Sequence, residues 1–278
     1  TGYCGQTAEL MAARASLHYW EEPCISGTSG SGTVFFSGCN LRCVFCQNHN
    51  IALGKAGRVI VPEHLAEIFL QLQEQGANNI NLVTPTHFLP QIVIALEQAK
   101  QQGLHLPIVY NTGSYESPEA LRHLEGLVDI YLPDLKYFSP ELSTAYSHAP
   151  DYFETACAAI SEMYRQVGYP VIDEDTGLMQ HGMIVRHLLL PGQTKDSKKI
   201  LRYLHETYGD HIYISIMNQY TPMPFVENIP ELNRKVTHRE YDKAVDYAIG
   251  LGVVNGFIQE GGTAKESFIP EFSGEGLE

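Results

Sequence analysis

The chain has 278 residues, of which 32 are acidic and 18 basic, so its formal net charge at pH 7 is -14. Such an acidic chain offers no basic footprint for nucleic acid or for an anionic membrane surface. The sequence has no apolar run long enough to span a membrane and no visible signal peptide. We therefore expect a cytoplasmic protein of one large domain that binds neither nucleic acid nor membrane.

Apolar runs alternate with helical patterns along most of the chain. Strands are predicted at residues 33–37, 80–83, 108–110, 128–132, 183–190, 212–217 and 253–258, and helices near 65–72, 89–96, 118–124, 154–167, 197–207 and 239–249. Repeated strand–helix units require a parallel sheet with helices outside it. About six or seven units fall short of the eight in a closed barrel. The sequence therefore predicts an α/β fold with an open, partial barrel over residues 31–260, an N-terminal extension over 1–30, and a tail over 261–278 packed on one end.

Three cysteines fall on one short loop directly after the first predicted strand. Cys39, Cys43 and Cys46 suit a cubane iron-sulfur cluster, because three thiolates leave the fourth iron free to bind a cofactor. With His49 they could instead form a tetrahedral zinc site, although structural zinc ligands usually come as two separated pairs. A non-catalytic metal-binding or redox-sensing protein built on the same cysteines is the alternative from another functional class.

The other three cysteines give weaker signals. Cys157 lies on a helical pattern and is interpreted as a small buried apolar residue, and Cys24 as a free thiol in a loop. Cys4 is left unassigned. Thiolates that must stay reduced around iron also favour the cytoplasm.

Polar side chains stand at the carboxyl ends of the predicted strands, where α/β folds bind their ligands. They are Thr84, Thr86 and His87 after the second strand, Asn111 after the third, Asp134 and Lys136 after the fourth, Arg186 and His187 on the fifth, and Gln219 and Tyr220 after the sixth. Turn chemistry and helix capping explain several of these residues singly. Their convergence on the cysteine end of the sheet favours a shared binding site.

The Cys-x3-Cys-x2-Cys spacing, together with residues 30–39, 79–87, 129–137, 185–192 and 217–222, resembles radical S-adenosylmethionine (SAM) proteins related to pyruvate formate-lyase activating enzyme. The resemblance implies a partial (β/α)6-type barrel that holds one 4Fe-4S cluster and SAM. It implies that an electron from flavodoxin or ferredoxin cleaves SAM to a 5'-deoxyadenosyl radical, which abstracts hydrogen from a substrate. That substrate would be a glycyl radical enzyme or a small metabolite.

The resemblance also implies a set of cofactor-binding residues. Cys39, Cys43 and Cys46 would ligate the cluster, and Phe45, Asn111, Asp134, Lys136, Arg186 and Leu188 would surround SAM. The Gly-Gly-Glu element that usually receives the SAM amino group is replaced by Thr84-Pro85-Thr86, so Thr oxygens and backbone carbonyls would take its place. Substrate contacts are expected from His87, His187, Gln219 and Tyr220. Since no cysteine follows Cys157 and no cysteine-rich insert follows the motif, a single cluster is expected.

Overall fold

The computed structural model describes residues 2–259 and 270–278. Within them the strands are β1 (Met11–His18), β2 (Ser31–Phe36), β3 (Arg58–Val59), β4 (Ile80–Val83), β5 (Ile108–Thr112), β6 (Ile130–Pro133), β7 (Val171–Ile172), β8 (Met179–Leu188), β9 (Tyr213–Met217) and β10 (Gly256–Ile258). The helices are α1 (Pro23–Ser26), α2 (His49–Ala52), α3 (Pro62–Glu74), α4 (Leu89–Gln101), α5 (Pro118–Leu121), α6 (Pro140–Ser147), α7 (Tyr152–Val167), α8 (Thr194–Tyr208) and α9 (His238–Leu251).

The strands form one sheet in the order β10-β9-β8-β6-β5-β4-β2-β1-β3, with β7 attached to β8. Neighbours from β10 to β2 along this order are parallel, whereas β1 is antiparallel to both β2 and β3. In the described part of the chain the end strands β10 and β3 do not pair, so the sheet is not closed. The predicted α/β partial barrel is confirmed.

The helices cover the outer face of the sheet because their apolar residues recur at helical spacing. In α3, which begins with Pro62, the residues Leu65, Ile68, Phe69 and Leu72 are buried. At the start of α9, Thr237 and Glu240 form a capping box that satisfies backbone N–H groups of its first turn.

The inner face of the sheet has its own small core, into which α1 inserts. Val109, Ile130 and Ile184 pack there with Cys24 and Ile25 of α1. The Asn78 and Asn79 amides donate hydrogen bonds to the carbonyls of Ser26 and Ile25 at 2.6 and 2.8 Å. Helix α1 therefore fills the barrel interior toward the amino ends of the strands.

The C-terminal residues 270–278 lie against β1. Ala15 N–H donates to the Glu275 carbonyl at 2.9 Å, and Gly274 N–H donates to the Ala13 carbonyl at 3.1 Å. The predicted tail packs on the sheet as far as it is described, and residues 261–269 lie outside the described residues. Among the helices of the described residues, none has the length and apolar character needed to cross a membrane.

Candidate active site

A cavity opens at the carboxyl ends of the parallel strands and collects most of the predicted site residues. The predicted residues that line it are Cys39, Cys43, Cys46, Thr84, Asn111, Asp134, Lys136, Arg186 and Gln219. Trp20, Glu21 and Pro270 also line it and were not predicted. The cysteine loop and the polar strand ends therefore face one space.

The loop that carries the cysteines is fixed at its start by backbone and side-chain contacts. Gly38 has φ of +89°, and a Cβ there would come within 2.4 Å of the Gln6 side chain, so glycine is required. Its N–H donates to the Ile51 carbonyl at 2.6 Å. His87 Nε2 donates to the Ser37 carbonyl at 2.7 Å, so His87 supports the loop from outside the cavity.

The three sulfurs have surroundings that suit cluster ligands. Leu41 N–H lies 3.4 Å from Cys39 Sγ, and the Ser147 hydroxyl donates to Cys43 Sγ at 2.9 Å. Hydrogen bonds of this kind tune iron-sulfur clusters. Burial, followed by the neighbouring cysteines, raises the pKa of the Cys46 thiol, and burial also raises the pKa of Cys43. Cationic iron would hold such buried thiols as thiolates, so the cysteines fit a cluster.

The alternative zinc site gains no support from the geometry. Over residues 2–259 and 270–278, no group of three His, Cys, Asp or Glu side chains is placed to hold a single metal ion. The His49 ring instead stacks on Phe225 with centroids 4.3 Å apart. A cubane cluster would take one thiolate each from Cys39, Cys43 and Cys46 for three of its irons, which is a different requirement from that of a single ion.

A partly buried ionic network, whose charged side chains are 10 to 18% exposed, forms the wall beside the cysteines. Arg186 donates from Nε to Asp134 Oδ1 at 2.9 Å, from Nη1 to Glu21 Oε2 at 2.9 Å, and from Nη2 to Asn111 Oδ1 at 2.5 Å. Lys136 Nζ donates to the other Asp134 oxygen at 2.5 Å. Burial raises the pKa of Asp134, but the Lys136 and Arg186 cations outweigh it and hold that pKa below its usual range. Asp134 is therefore ionised at neutral pH.

Glu21 is the member of this network that sequence reasoning missed. Besides pairing with Arg186, its carboxylate accepts hydrogen bonds from Asn81 at 3.1 Å and Asn111 at 3.3 Å. It lies in the loop before α1 and follows no parallel strand, so the pattern of polar residues at strand ends does not include it. The acidic pair Glu21-Glu22 next to a buried helix was the available signal.

The two threonines after β4, Thr84 and Thr86, lie in different environments. Thr84 lines the cavity and has φ of +57°, a left-handed conformation that is rare for a β-branched residue. Thr86 instead donates to Glu116 Oε1 at 3.0 Å and is not among the cavity residues. Glu116 also accepts hydrogen bonds from Thr112 and Tyr110, and its burial raises its pKa. The geometry therefore supports Thr84, and not Thr86, as a cavity group.

Besides Thr86, five predicted residues are not in the cavity lining: Phe45, His87, His187, Leu188 and Tyr220. His187 donates from Nδ1 to the Leu135 carbonyl and accepts at Nε2 from Ser197, both at 2.8 Å, and burial lowers its pKa to about 4. The Tyr220 hydroxyl donates to the Leu232 carbonyl at 2.7 Å, and its ring packs on Phe45. Leu188 packs against the main core. The binding roles predicted for these residues have no geometric support.

Comparison with known proteins decides the family. The model of the Radical SAM superfamily matches residues 33–204. The chain belongs to the radical SAM superfamily. Members of this family bind a 4Fe-4S cluster and SAM, so both are cofactors of this protein.

Individual relatives agree with this membership. The chain is 28% identical over 257 residues to an uncharacterised protein of Methanocaldococcus jannaschii, covering 89% of this chain and 69% of that protein. It is 29% identical over 121 residues to the pyruvate formate-lyase-activating enzyme of Clostridium pasteurianum, covering 41% of this chain and 48% of that enzyme. The structure of Streptococcus suis SuiB bound to S-adenosylmethionine shares the fold, with a TM-score of 0.52 and 14% identity over 80% of this chain and 48% of that chain.

Proposed function

We propose that this protein is a radical SAM enzyme that cleaves SAM reductively and abstracts a hydrogen atom from a substrate held in the barrel. The observation that carries the proposal is the shared cavity, in which Cys39, Cys43 and Cys46 face the network of Asp134, Lys136 and Arg186. Bound there, the cluster and SAM would supply a 5'-deoxyadenosyl radical after one electron arrives from flavodoxin or ferredoxin.

The residues of the chain hold and orient the reacting groups. Cys39, Cys43 and Cys46 would ligate three irons. Asp134 and Glu21 balance the positive charges of Arg186 and Lys136 in this wall. The two cations would donate charge-assisted hydrogen bonds to the SAM carboxylate, which are strongest away from water. At Thr84 and Pro85 the chain offers a hydroxyl and carbonyls, and no N–H at the proline, so this turn would accept hydrogen bonds from the SAM ammonium.

Two kinds of substrate are supported by different observations. The similarity to the pyruvate formate-lyase-activating enzyme supports the glycyl loop of a partner enzyme. A small polar molecule is supported by a second cavity, lined by Glu21, Glu22, Arg186 and Ser215, which adjoins the first. There the buried Glu22 carboxyl lies beside Ser215, and burial raises the pKa of that carboxyl.

The test of the proposed function is anaerobic reconstitution of the Cys43→Ala variant. We expect it to lose bound iron and to form no 5'-deoxyadenosine from SAM and dithionite, because a ligand of the cluster is missing. Cys157→Ala is the matched control, since Cys157 lies outside the cavity, and it should keep wild-type iron content and cleavage. Wild-type cleavage by Cys43→Ala would refute the cluster assignment.

The substrate is tested separately, by where the abstracted hydrogen comes from. Deuterium carried on a candidate metabolite, or on the glycine of a candidate partner enzyme, should appear in 5'-deoxyadenosine. The glycyl loop should also leave a protein-based radical that electron paramagnetic resonance detects.

A further inference from the structure

A surface depression, distinct from the two cavities described above, reaches the cysteine loop. Its walls include Arg42, His49, Leu53 and Phe225, and it shares with the cofactor cavity only Cys43 and Cys46. These two cysteines therefore separate the depression from the cofactor cavity. An electron that arrives at the depression has only a cysteine to cross before it reaches the proposed cluster.

The chain around this depression has an unusual charge pattern. Residues 23–62 contain Arg42, Lys55 and Arg58 but none of the 32 acidic residues of the chain. In a protein with a net charge of -14, this segment is locally positive. Lys55 and Arg58 are exposed, and Arg42 is half-buried.

In the part of the chain that the structure describes, these three cations have no carboxylate partner, whereas most of the other arginines of the chain have one. Arg14, Arg165 and Arg234 each form an ion pair at 2.7 to 2.8 Å. Within the described residues, neither Arg42, Lys55 nor Arg58 has a carboxylate within ion-pairing distance.

Two of these cations lie at or next to the depression. Arg42 lines it, and its guanidinium lies 5.0 Å from the centroid of the Tyr3 ring. His49 also lines it, and the Lys55 N–H donates to the carbonyl of Asn50, the residue after His49, at 3.0 Å. Arg42 therefore lies in the same wall as the stacked His49 and Phe225 rings. These rings also line a neighbouring cavity, whose wall contains Ala56, two residues before Arg58, and the carboxylate Glu271.

We propose that a small acidic one-electron carrier protein docks over this depression, with its carboxylates facing Arg42, Lys55 and Arg58. The proposal rests on the proposed function. One electron would pass from the reduced carrier to the cluster, so the carrier is oxidised and the cluster reduced, and no covalent bond changes. Electron-transfer complexes are small and rely on charge complementarity for encounter, which a chain of net negative charge must supply locally.

The test uses the Lys55→Glu/Arg58→Glu double variant, since both side chains are exposed and neither lines the cofactor cavity. The Kd for oxidised flavodoxin, and separately for oxidised ferredoxin, is measured by titration at several salt concentrations. We expect the variant to bind at least about ten-fold more weakly at low salt, because two attractions become repulsions. The difference should shrink at high salt, since the Debye length falls to roughly 3 Å at 1 M.

The matched control is Lys195→Glu/Lys243→Glu, which changes the net charge equally on exposed positions of α8 and α9. It should keep a Kd close to that of the wild type. A loss of affinity for one carrier only would support the docking surface and identify the carrier. Equal affinities of the two double variants for both carriers would overturn the proposal.

Turnover separates this proposal from the proposed function. With dithionite, a small reductant that needs no docking, the Lys55→Glu/Arg58→Glu variant should form 5'-deoxyadenosine at the wild-type rate. With the reduced carrier protein it should be slower. If wild-type protein failed with dithionite, the proposed function would fail, whereas the binding titrations would still decide the docking surface.

Discussion

Arg186 pairs with both Glu21 and Asp134 in the cavity wall, so its removal should weaken cofactor binding. We predict that Arg186→Ala weakens SAM affinity by roughly ten- to a hundred-fold, because charge-assisted hydrogen bonds contribute about 1.5 to 3 kcal/mol and each 1.4 kcal/mol is tenfold. Isothermal titration of the cluster-loaded protein measures this Kd.

Arg165→Ala is the control for this prediction. Arg165 also pairs with two carboxylates, Glu125 and Glu162, but its side chain is half exposed and lies outside the cavity. SAM affinity should stay at its wild-type value in this variant. An unchanged Kd in Arg186→Ala would show that Arg186 does not contact SAM.

Single residues also show where sequence reasoning stopped. Arg186 and His187 are neighbours on β8, and successive side chains on a strand point to opposite faces. Since Arg186 faces the interior, His187 must face the helices, and it hydrogen-bonds there with Ser197 of α8. Strand parity therefore could have excluded His187 from the site. The pairing of Glu21 with Arg186 could not be predicted, because it joins residues 165 positions apart.

At the scale of elements, the turn after β4 combines a strained backbone with a place in the cavity wall. We predict that Thr84→Gly stabilises the fold by about 1 kcal/mol, since a left-handed non-glycine residue is strained by about 1 to 3 kcal/mol and glycine loses part of that gain to its freer unfolded state. The same variant should bind SAM more weakly, because the hydroxyl is lost. Urea unfolding and SAM titration measure the two effects.

Thr86→Val provides the comparison, since the Thr86 hydroxyl is engaged by Glu116 outside the cavity. It should lower stability and leave SAM affinity unchanged. Tighter SAM binding by Thr84→Gly would contradict a contact between Thr84 and the cofactor.

Strands and helices differ in how clearly the sequence predicts them. The strand β4 was predicted with its observed bounds, because its four residues are all buried and apolar apart from Asn81. The strand β1 was missed, since MAARASLH is rich in alanine and has no β-branched residue. Its place comes from pairing with β2 in the folded sheet. Likewise, α1 has only four residues and is positioned by the barrel interior around it.

For the whole molecule, buried histidines link stability to pH. Burial lowers the pKa of His187 to about 4, and burial followed by the Arg14 cation lowers that of His18 to about 4. Both folded values lie below the usual 6.5, so the unfolded state takes up protons first as pH falls. The two neutral histidines therefore contribute fully to the free energy of unfolding above about pH 6.5, and this contribution is lost progressively toward pH 4.

We predict that His187→Gln reduces the slope of unfolding free energy against pH between 6.5 and 4 by about one proton, or roughly 1.4 kcal/mol per pH unit. Urea unfolding at closely spaced pH values measures the slope, which is insensitive to a uniform loss of stability in the variant. His105→Gln, at an exposed position, should keep the wild-type slope. Equal slopes for His187→Gln and wild type would show that His187 does not resist protonation in the fold.

The inserted helix α1 has a consequence for the lifetime of a reactive species. Ile25 closes the interior together with Val109 and Ile184, in an apolar layer below the polar groups that Glu21 brings to the cavity. A carbon radical persists only while no stray hydrogen donor reaches it, and an apolar floor keeps small thiols from approaching along the barrel axis. The segment that supplies Glu21 to the ionic network therefore also closes the barrel below the site of the radical.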